Sequence, residues 1–322
     1  MTLPPEFALI ARHFRPLAGP GALDLLDDAA VITPPAGREL VLAADAMVAG
    51  VHFLPDDPAE TIGRKLLRTN LSDLAAMGAV PLAYLLTASL PARLAPDWLA
   101  QFSAGLALDQ AEFGITLLGG DTTSTPGPMS LSLTILGHVA PGQALRRQGA
   151  GPGQDIWVSG TIGDGTLGLA VLQGEVPGEA SGHLASRYRL PRPRMALGQA
   201  LVGLATAAMD VSDGLVQDLG HLCRVAGCAA EIEASRVPLS DDAAALLALS
   251  PDLLSRILTG GDDYELLFAA PPEAAAEIDA RAAASGVAAT RIGRFLPGEA
   301  GVTVRDARGG AVPVGRGGWS HF

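Results

Sequence analysis

Apolar positions recur along this chain with two periods, one of about 3.6 residues and one of two, and together they predict its elements. Thr61–Gly78 is the strongest helix: at about 100° per residue, Ile62, Leu66, Leu67, Leu74 and Met77 share one half of its surface. Asn70 and Asp73 fall on that same apolar half. A carboxylate there must be paired or coordinate a metal, because burying it bare costs several kcal/mol. Capping by a nearby arginine is the alternative for Asp73. Asp97–Phe113 is a second helix, with Trp98, Phe102, Leu106 and Phe113 on one stripe before Gly114. Ser130–Gly137 alternates strictly, with Leu131, Leu133 and Ile135 on one face, and reads as a half-buried strand. Leu82–Leu90, Ala29–Ile32 and Glu39–Ala44 also read as strands, the last running into Asp45; Glu6–Phe14 reads as a short opening helix. The apolar run Ile115–Leu118 reads as a buried strand ending in Gly119, Gly120 and Asp121. Paired glycines let a backbone approach a ligand or take positive φ without Cβ strain, and an aspartate fixed beside them suits a hard cation.

A Gly/Pro-rich stretch, Pro141–Gly153, carries Arg146 and Arg147 and divides the chain into residues 1–140 and 141–322. Beyond it the pattern alternates between strand and helix. Asp155–Ser159 is a strand, Thr166–Leu172 a helix, Gly174–Gly182 a mobile loop, and Met195–Ala208 a helix that follows the basic segment Arg187–Arg194. The Gly160–Gly165 turn imitates a dinucleotide fingerprint, but ordinary strand–helix turn chemistry accounts for it. Ala208–Val211 is a strand carrying Asp210, followed by a helix from Leu215. Ser212 and Asp213 sit at that helix's N-terminus, where they cap free N–H groups; this explains Asp213 but not Asp210. The rest reads as Ala229–Ile232, Asp241–Leu249, Tyr264–Ala269, Glu273–Ala284 and Val287–Ile292, interrupted by a second Gly-Gly-Asp at Gly260–Asp262.

The recurring carboxylates are Asp27, Asp28, Asp45, Asp73, Asp121, Asp210, Asp213, Asp262 and Asp263. Each lies at the end of an apolar run or on an apolar face, so the fold is expected to gather them into one acidic, metal-filled pocket. Composition sharpens that chemistry. A net charge of −12 argues against a basic nucleic-acid footprint. Aspartates repel phosphate unless divalent ions lie between, so a phosphate ligand here predicts Mg²⁺ dependence. Lys65 is the chain's one lysine, and no G-x4-G-K-[ST] occurs, which excludes a P-loop. Apolar residues make up 48% of the 322, enough for two globular cores, with no run suited to a bilayer and no signal peptide. Cys223 and Cys228 read as core thiols. A cytoplasmic protein without membrane contact is expected.

Six motifs then follow one another in order: Asp27-Asp28-Ala, Asp45-Ala-Met-Val-Ala-Gly-Val-His52-Phe, Asn70-Leu-Ser-Asp-Leu-Ala-Ala-Met-Gly-Ala79, Gly119-Gly-Asp-Thr-Thr123, Asp210-Val-Ser-Asp-Gly-Leu215 and Gly260-Gly-Asp-Asp-Tyr-Glu-Leu266. Together they resemble the thiamine-monophosphate kinase family, of the aminoimidazole ribonucleotide synthetase-like superfamily, over essentially the whole chain. The resemblance implies a two-domain α+β fold, with a dimer-forming sheet in the N-terminal domain and an α/β C-terminal domain. It implies direct transfer of phosphate from ATP to thiamine monophosphate by a homodimer, with Mg²⁺ required and K⁺ a further candidate ion. By it, Asp28, Asp45, Asp73, Asp121 and Asp210 bind Mg²⁺, with Asp213 on a further metal, and Asp73, Asp121 and Asp210 form the catalytic set. Gly120, Asp121, Arg147 and Ser212 contact ATP, while His52, Asp262 and Trp319 face the substrate. His52 either balances phosphate charge or packs.

The pattern departs in three places. Ala43 and Ala44 stand where relatives often have hydroxyl residues, Asp262 where glutamate is expected, and Arg316 where an aromatic is expected, leaving Trp319 as its substitute. The absence of cysteine before Cys223 argues against selenophosphate synthetase chemistry. Aminoimidazole ribonucleotide synthetase is the nearest rival. The Asp45–Phe53 and Gly260–Glu265 segments favour the thiamine enzyme. A self-complementary dimer contact is expected at the apolar side of the N-terminal sheet, with Leu133 on the side that a partner covers.

Overall fold

A computed structural model describes residues 4–179, 182–315 and 318. The chain divides into two compact units, Met1–Leu74 with Ala79–Gly142, and Ala75–Gly78 with Gln143–Phe322.

The first unit opens with α1 (Pro5–Leu9), extended by a wider-wound turn over Ile10–Phe14. There follow β1 (Glu39–Val48), α2 (Ala59–Ala76), β2 (Val80–Pro91), α3 (Trp98–Phe113), β3 (Thr116–Thr125) and β4 (Ser130–Val139). The strands form one sheet in the order β1-β4-β2-β3, with only β2 and β3 parallel. The two-residue period of β4 works as expected: Leu131, Leu133 and Ile135 are fully buried and the intervening positions half-buried. They face α2, for a Cβ at Gly137 on that side would touch Leu74 at 3.0 Å. The neighbouring Tyr84 of β2 accepts a hydrogen bond from Gln110 of α3 at 3.1 Å. The two helices are bolted together by charge. Arg64 Nε and Arg68 Nε donate to the fully buried Asp109 at 2.9 and 2.7 Å, and Arg68 Nη2 reaches Glu112 at 2.8 Å.

Three expectations change here. Ala29–Ile32 forms no strand. β1 and β3 do not stop at their carboxylates but run through them, so that Asp45 pairs with Leu133 and Asp121 with Thr87 inside the ladder. Leu133 lies against the chain's own helix. The face left open is the other one, to which the register turns Leu40 and Leu42 of β1 and Val80 and Leu85 of β2, on either side of β4, all exposed.

The second unit is built on a mixed six-stranded sheet in the order β10-β7-β9-β5-β8-β6, with only β10 and β7 parallel. Its elements in chain order are β5 (Asp155–Ser159), α4 (Asp164–Leu172), α5 (His183–Arg189), α6 (Met195–Ala200), β6 (Ala207–Asp210), α7 (Leu215–Ala226), β7 (Ala229–Glu233), α8 (Asp241–Leu249), α9 (Leu253–Thr259), β8 (Leu266–Ala270), α10 (Ala275–Ala284), β9 (Ala289–Leu296) and β10 (Gly301–Arg305). Every residue of β5, β6 and β8 is buried, so these strands show none of the two-residue alternation of β4. Trp157 stacks on Phe268 across β5 and β8. The helix expected over Met195–Ala208 ends at Ala200, and a turn containing left-handed Gly203 leads into β6. Cys223 and Cys228 are buried free thiols, as their spacing suggested. Of the loop Gly174–Gly182, Ala180 and Ser181 lie outside the described residues. Among the described residues no helix is long and apolar enough to cross a membrane.

Candidate functional site

In the first unit, a cleft of about 650 Å³ has Asp27, Asp28, Gly119, Gly120 and Asp121 along its lining, with Phe7, Ile10, Phe14 and Leu117 among its apolar walls. The chain approaches Asp27 through three successive left-handed residues, Leu23, Asp24 and Leu25. Gly120 has a steric reason of its own. At φ +153° it packs so tightly on β2 that a Cβ would collide with the Leu86 carbonyl. On the opposite edge of the sheet, Asp45 is tied to α2, its N–H donating to Asn70 Oδ1 at 3.2 Å. Asn70 is fully buried and donates to Leu66 O at 2.9 Å, which accounts for an amide on the apolar stripe. Asp73 stands one turn further along α2, half-buried.

His52 follows directly. Its Nδ1 accepts the Val48 N–H at 3.0 Å, so in the neutral ring Nε2 carries the proton and is a donor. Its carbonyl accepts from Lys65 Nζ at 2.9 Å, and that lysine is only 2% exposed.

In the second unit, Asp210 ends β6 at 6% exposure, and Ser212 and Asp213 lead into α7. Neither side chain caps the helix as expected. Instead Asp218, from within α7, reaches back and accepts the N–H groups of Asp213 and Gly214, each at 3.1 Å. Burial pushes the Asp218 carboxyl up to about 8, helped by the charges of Asp210 and Asp213 and opposed by those two N–H bonds. Sequence reasoning missed Asp218; a carboxylate on the apolar stripe just after the Asp-x-x-Asp turn was the available signal.

The second Gly-Gly-Asp segment is laced to this turn by its backbone. Asp262 N–H donates to Ser212 O at 2.9 Å, Tyr264 N–H to Val211 O at 2.8 Å, and Val211 N–H to Glu265 O at 2.8 Å. Asp262 itself is half-buried at φ +71°. Arg147 is exposed, and burial together with the charges of Arg224 and Arg147 lowers the pKa of His221, whose Nδ1 lies 2.6 Å from Arg224 Nη2. His221 and Arg224 were not singled out in the sequence. Gly318 sits on the same turn, where a Cβ would come within 2.7 Å of Asp213 O. Trp319 and Arg316 lie outside the described residues.

Among the described residues, no three imidazole, thiol or carboxylate groups lie close enough to hold a metal by themselves. The donors are all hard oxygens, and Mg²⁺ takes one or two carboxylates together with water and substrate phosphates rather than an all-protein cage. Carboxylates in ones and twos fit that ion.

Comparison with known proteins gives these parts a frame. Residues 26–139 match the family AIR synthase related protein, N-terminal domain, and residues 151–305 its C-terminal domain. The chain is 46% identical to the thiamine-monophosphate kinase of Caulobacter vibrioides, over 99% of this chain and 91% of that one. The crystal structure of thiamine-monophosphate kinase from Stenotrophomonas maltophilia superposes with a TM-score of 0.84 at 42% identity, covering 96% of this chain and 98% of that one. AaThiL complexed with AMPPCP and TMP superposes with a TM-score of 0.78 at 31% identity, covering 92% and 91% of the two chains. The likeness runs across both units, and the chain belongs to the thiamine-monophosphate kinase family of AIR synthase related proteins.

Proposed function

We propose that this chain transfers the terminal phosphoryl group of ATP to thiamine monophosphate, giving thiamine diphosphate and ADP. The observation that carries this is 46% identity to a thiamine-monophosphate kinase over nearly the full length, with the aspartates of every motif present. The relative complexed with AMPPCP and TMP supports the same pair of substrates. A phosphate oxygen of thiamine monophosphate, already ionised near neutral pH, attacks the γ-phosphorus as the bond to the β-phosphate bridging oxygen breaks. No strong general base is needed, and the protein's task is alignment and charge.

Residues 1–140 supply Asp28, Asp45, Asp73 and Asp121 as metal ligands and Gly120 as a nucleotide contact. Residues 141–322 supply Asp210 and Asp213 to metal and Arg147 and Ser212 to ATP. Asp73, Asp121 and Asp210 form the catalytic set. When bound, Mg²⁺ offsets the negative charge of the phosphates. K⁺ is a candidate further ion. The apolar-walled cleft beside Asp28 and Asp121 suits a nucleotide whose base is apolar and whose phosphates carry cations. His52 presents Nε2–H, a donor suited to the substrate phosphate. Asp262 and Trp319 contact the thiamine moiety. The chain acts as a homodimer in the cytoplasm, where ATP is supplied; the exposed face with Leu40, Leu42, Val80 and Leu85 supports a second copy as its cover.

The test is purified protein with Mg²⁺, ATP and thiamine monophosphate, assayed for thiamine diphosphate, with aminoimidazole precursors in parallel. Turnover of thiamine monophosphate is expected; turnover of the precursors alone would overturn this reading.

A further inference from the structure

The turn Gly260–Glu265 is held in an unfavourable shape. Asp262 and Tyr264 both take left-handed φ, 71° and 52°, although each carries a Cβ. Such residues persist only where their surroundings over-determine them. The residues that alternate with them supply that constraint. Asp263 is fully buried, and its two carboxylate oxygens accept the N–H of Gly163 at 2.8 Å and of Gly165 at 3.0 Å. Glu265, also fully buried, accepts the Ser159 hydroxyl at 2.6 Å, Arg187 Nη2 at 2.9 Å and both arms of the Arg194 guanidinium. Arg187 Nη2 donates as well to the Asp263 carbonyl at 3.1 Å, which joins the two anchors.

We propose that Asp263 and Glu265 are positioning residues, two buried anchors that fix the left-handed register of Gly260–Glu265 and, through its backbone, the Asp210–Asp213 turn. The coupling is the lacing of Asp262 to Ser212 and of Tyr264 and Glu265 to Val211. If either anchor slackens, Asp262 and Tyr264 relax to ordinary φ, and the donors facing Val211 and Ser212 turn away. Asp210 and Asp213 then lose their fixed spacing. Mg²⁺ tolerates little departure from octahedral geometry, so its binding suffers before the fold does. The roles of Asp210, Asp213 and Asp262 rest on the proposed function; the anchoring does not.

Hydrogen exchange followed by mass spectrometry on wild type, E265Q and the milder S159A separates the two. In E265Q, exchange across residues 208–216 is expected to rise at least about tenfold, with β9 within about twofold of wild type. S159A should show the same pattern at smaller amplitude, and it carries the test if E265Q does not fold. The kinase assay adds a second readout: the half-saturating Mg²⁺ concentration of E265Q should rise at least about tenfold, more than kcat at saturating Mg²⁺ falls. Unchanged exchange at 208–216, or an equal rise in β9, would overturn the proposal. A wild-type protein without thiamine monophosphate turnover would remove the proposed function and leave the exchange result to decide the anchoring.

Discussion

Asp73 and Asp121 are the residues at which one oxygen-for-nitrogen exchange tells most. Asn keeps the shape and removes the charge, so D73N and D121N should each lower kcat by roughly 10²-fold or more, about the size of losing one strong transition-state stabiliser. Their unfolding midpoints should stay near that of wild type, and normal turnover in both would put the metal elsewhere. Asp263 makes a different prediction. Burial drives its carboxyl up to about 8, against the pull of Gly163, Gly165 and Arg187. Between about pH 4 and 8 the unfolded chain has lost that proton while the folded chain keeps it. The folded state therefore loses stability as pH rises, by up to about 1.4 kcal/mol per unit. D263N lacks the proton, so its stability relative to wild type should climb between pH 5 and 7.5, as urea midpoints at the two values will read. A flat difference would show that Asp263 is ionised throughout. The roles that escaped the sequence reading share one property. Asp263 and Glu265 are legible only as members of the Gly260–Glu265 motif; their partners Gly163, Gly165, Ser159, Arg187 and Arg194 are brought near by folding, and nothing in the neighbouring sequence announces those contacts.

At the scale of elements, periodicity carried most of the information. α2, α3 and β4 are where their apolar stripes put them, because each presents one face to a core. The failures have physical causes too. Gly119-Gly120-Asp121 resembles a strand end, yet parallel pairing with Thr87 and Leu86 carries β3 through it, and the glycines serve close packing within the ladder. Met195–Ala208 has apolar residues enough for one long helix, but the chain turns at Gly203 to enter β6. The candidate site was legible as a set of carboxylates, while the cleft that takes Asp27, Asp28 and Asp121 from that set and adds Glu6 was not. The ion-pair bolt between α2 and α3 also needed coordinates to be seen. Replacing Asp109 with Ala leaves Arg64 and Arg68 facing a buried gap, which should cost about 3 kcal/mol of stability in a urea titration. A loss below about 1 kcal/mol would mean that Glu112 alone suffices.

At the scale of the whole molecule, the first sheet turns apolar side chains outward. Leu40 and Leu42, 38% and 61% exposed, stand on the open face of the first sheet, so the double variant L40D/L42D should sediment as a monomer and wild type should sediment as a dimer. The folded core should survive, because neither side chain faces α2 or α3. A wild-type monomer at micromolar concentration, fully active, would refute the assembly. Lys65 has a consequence of another kind. It is the only ε-amine in 322 residues, and it lies 2% exposed beneath His52. An amine-selective acylating reagent therefore meets no reactive side chain on the native surface, and lysine-directed cross-linkers can join no two surface points of it. Lys65 takes up the label only when the start of α2 parts from the His52 turn. Its acylation rate, read as the mass increment of the peptide that contains Lys65 and so kept apart from labelling of the α-amine, is a built-in clock for the opening of that turn.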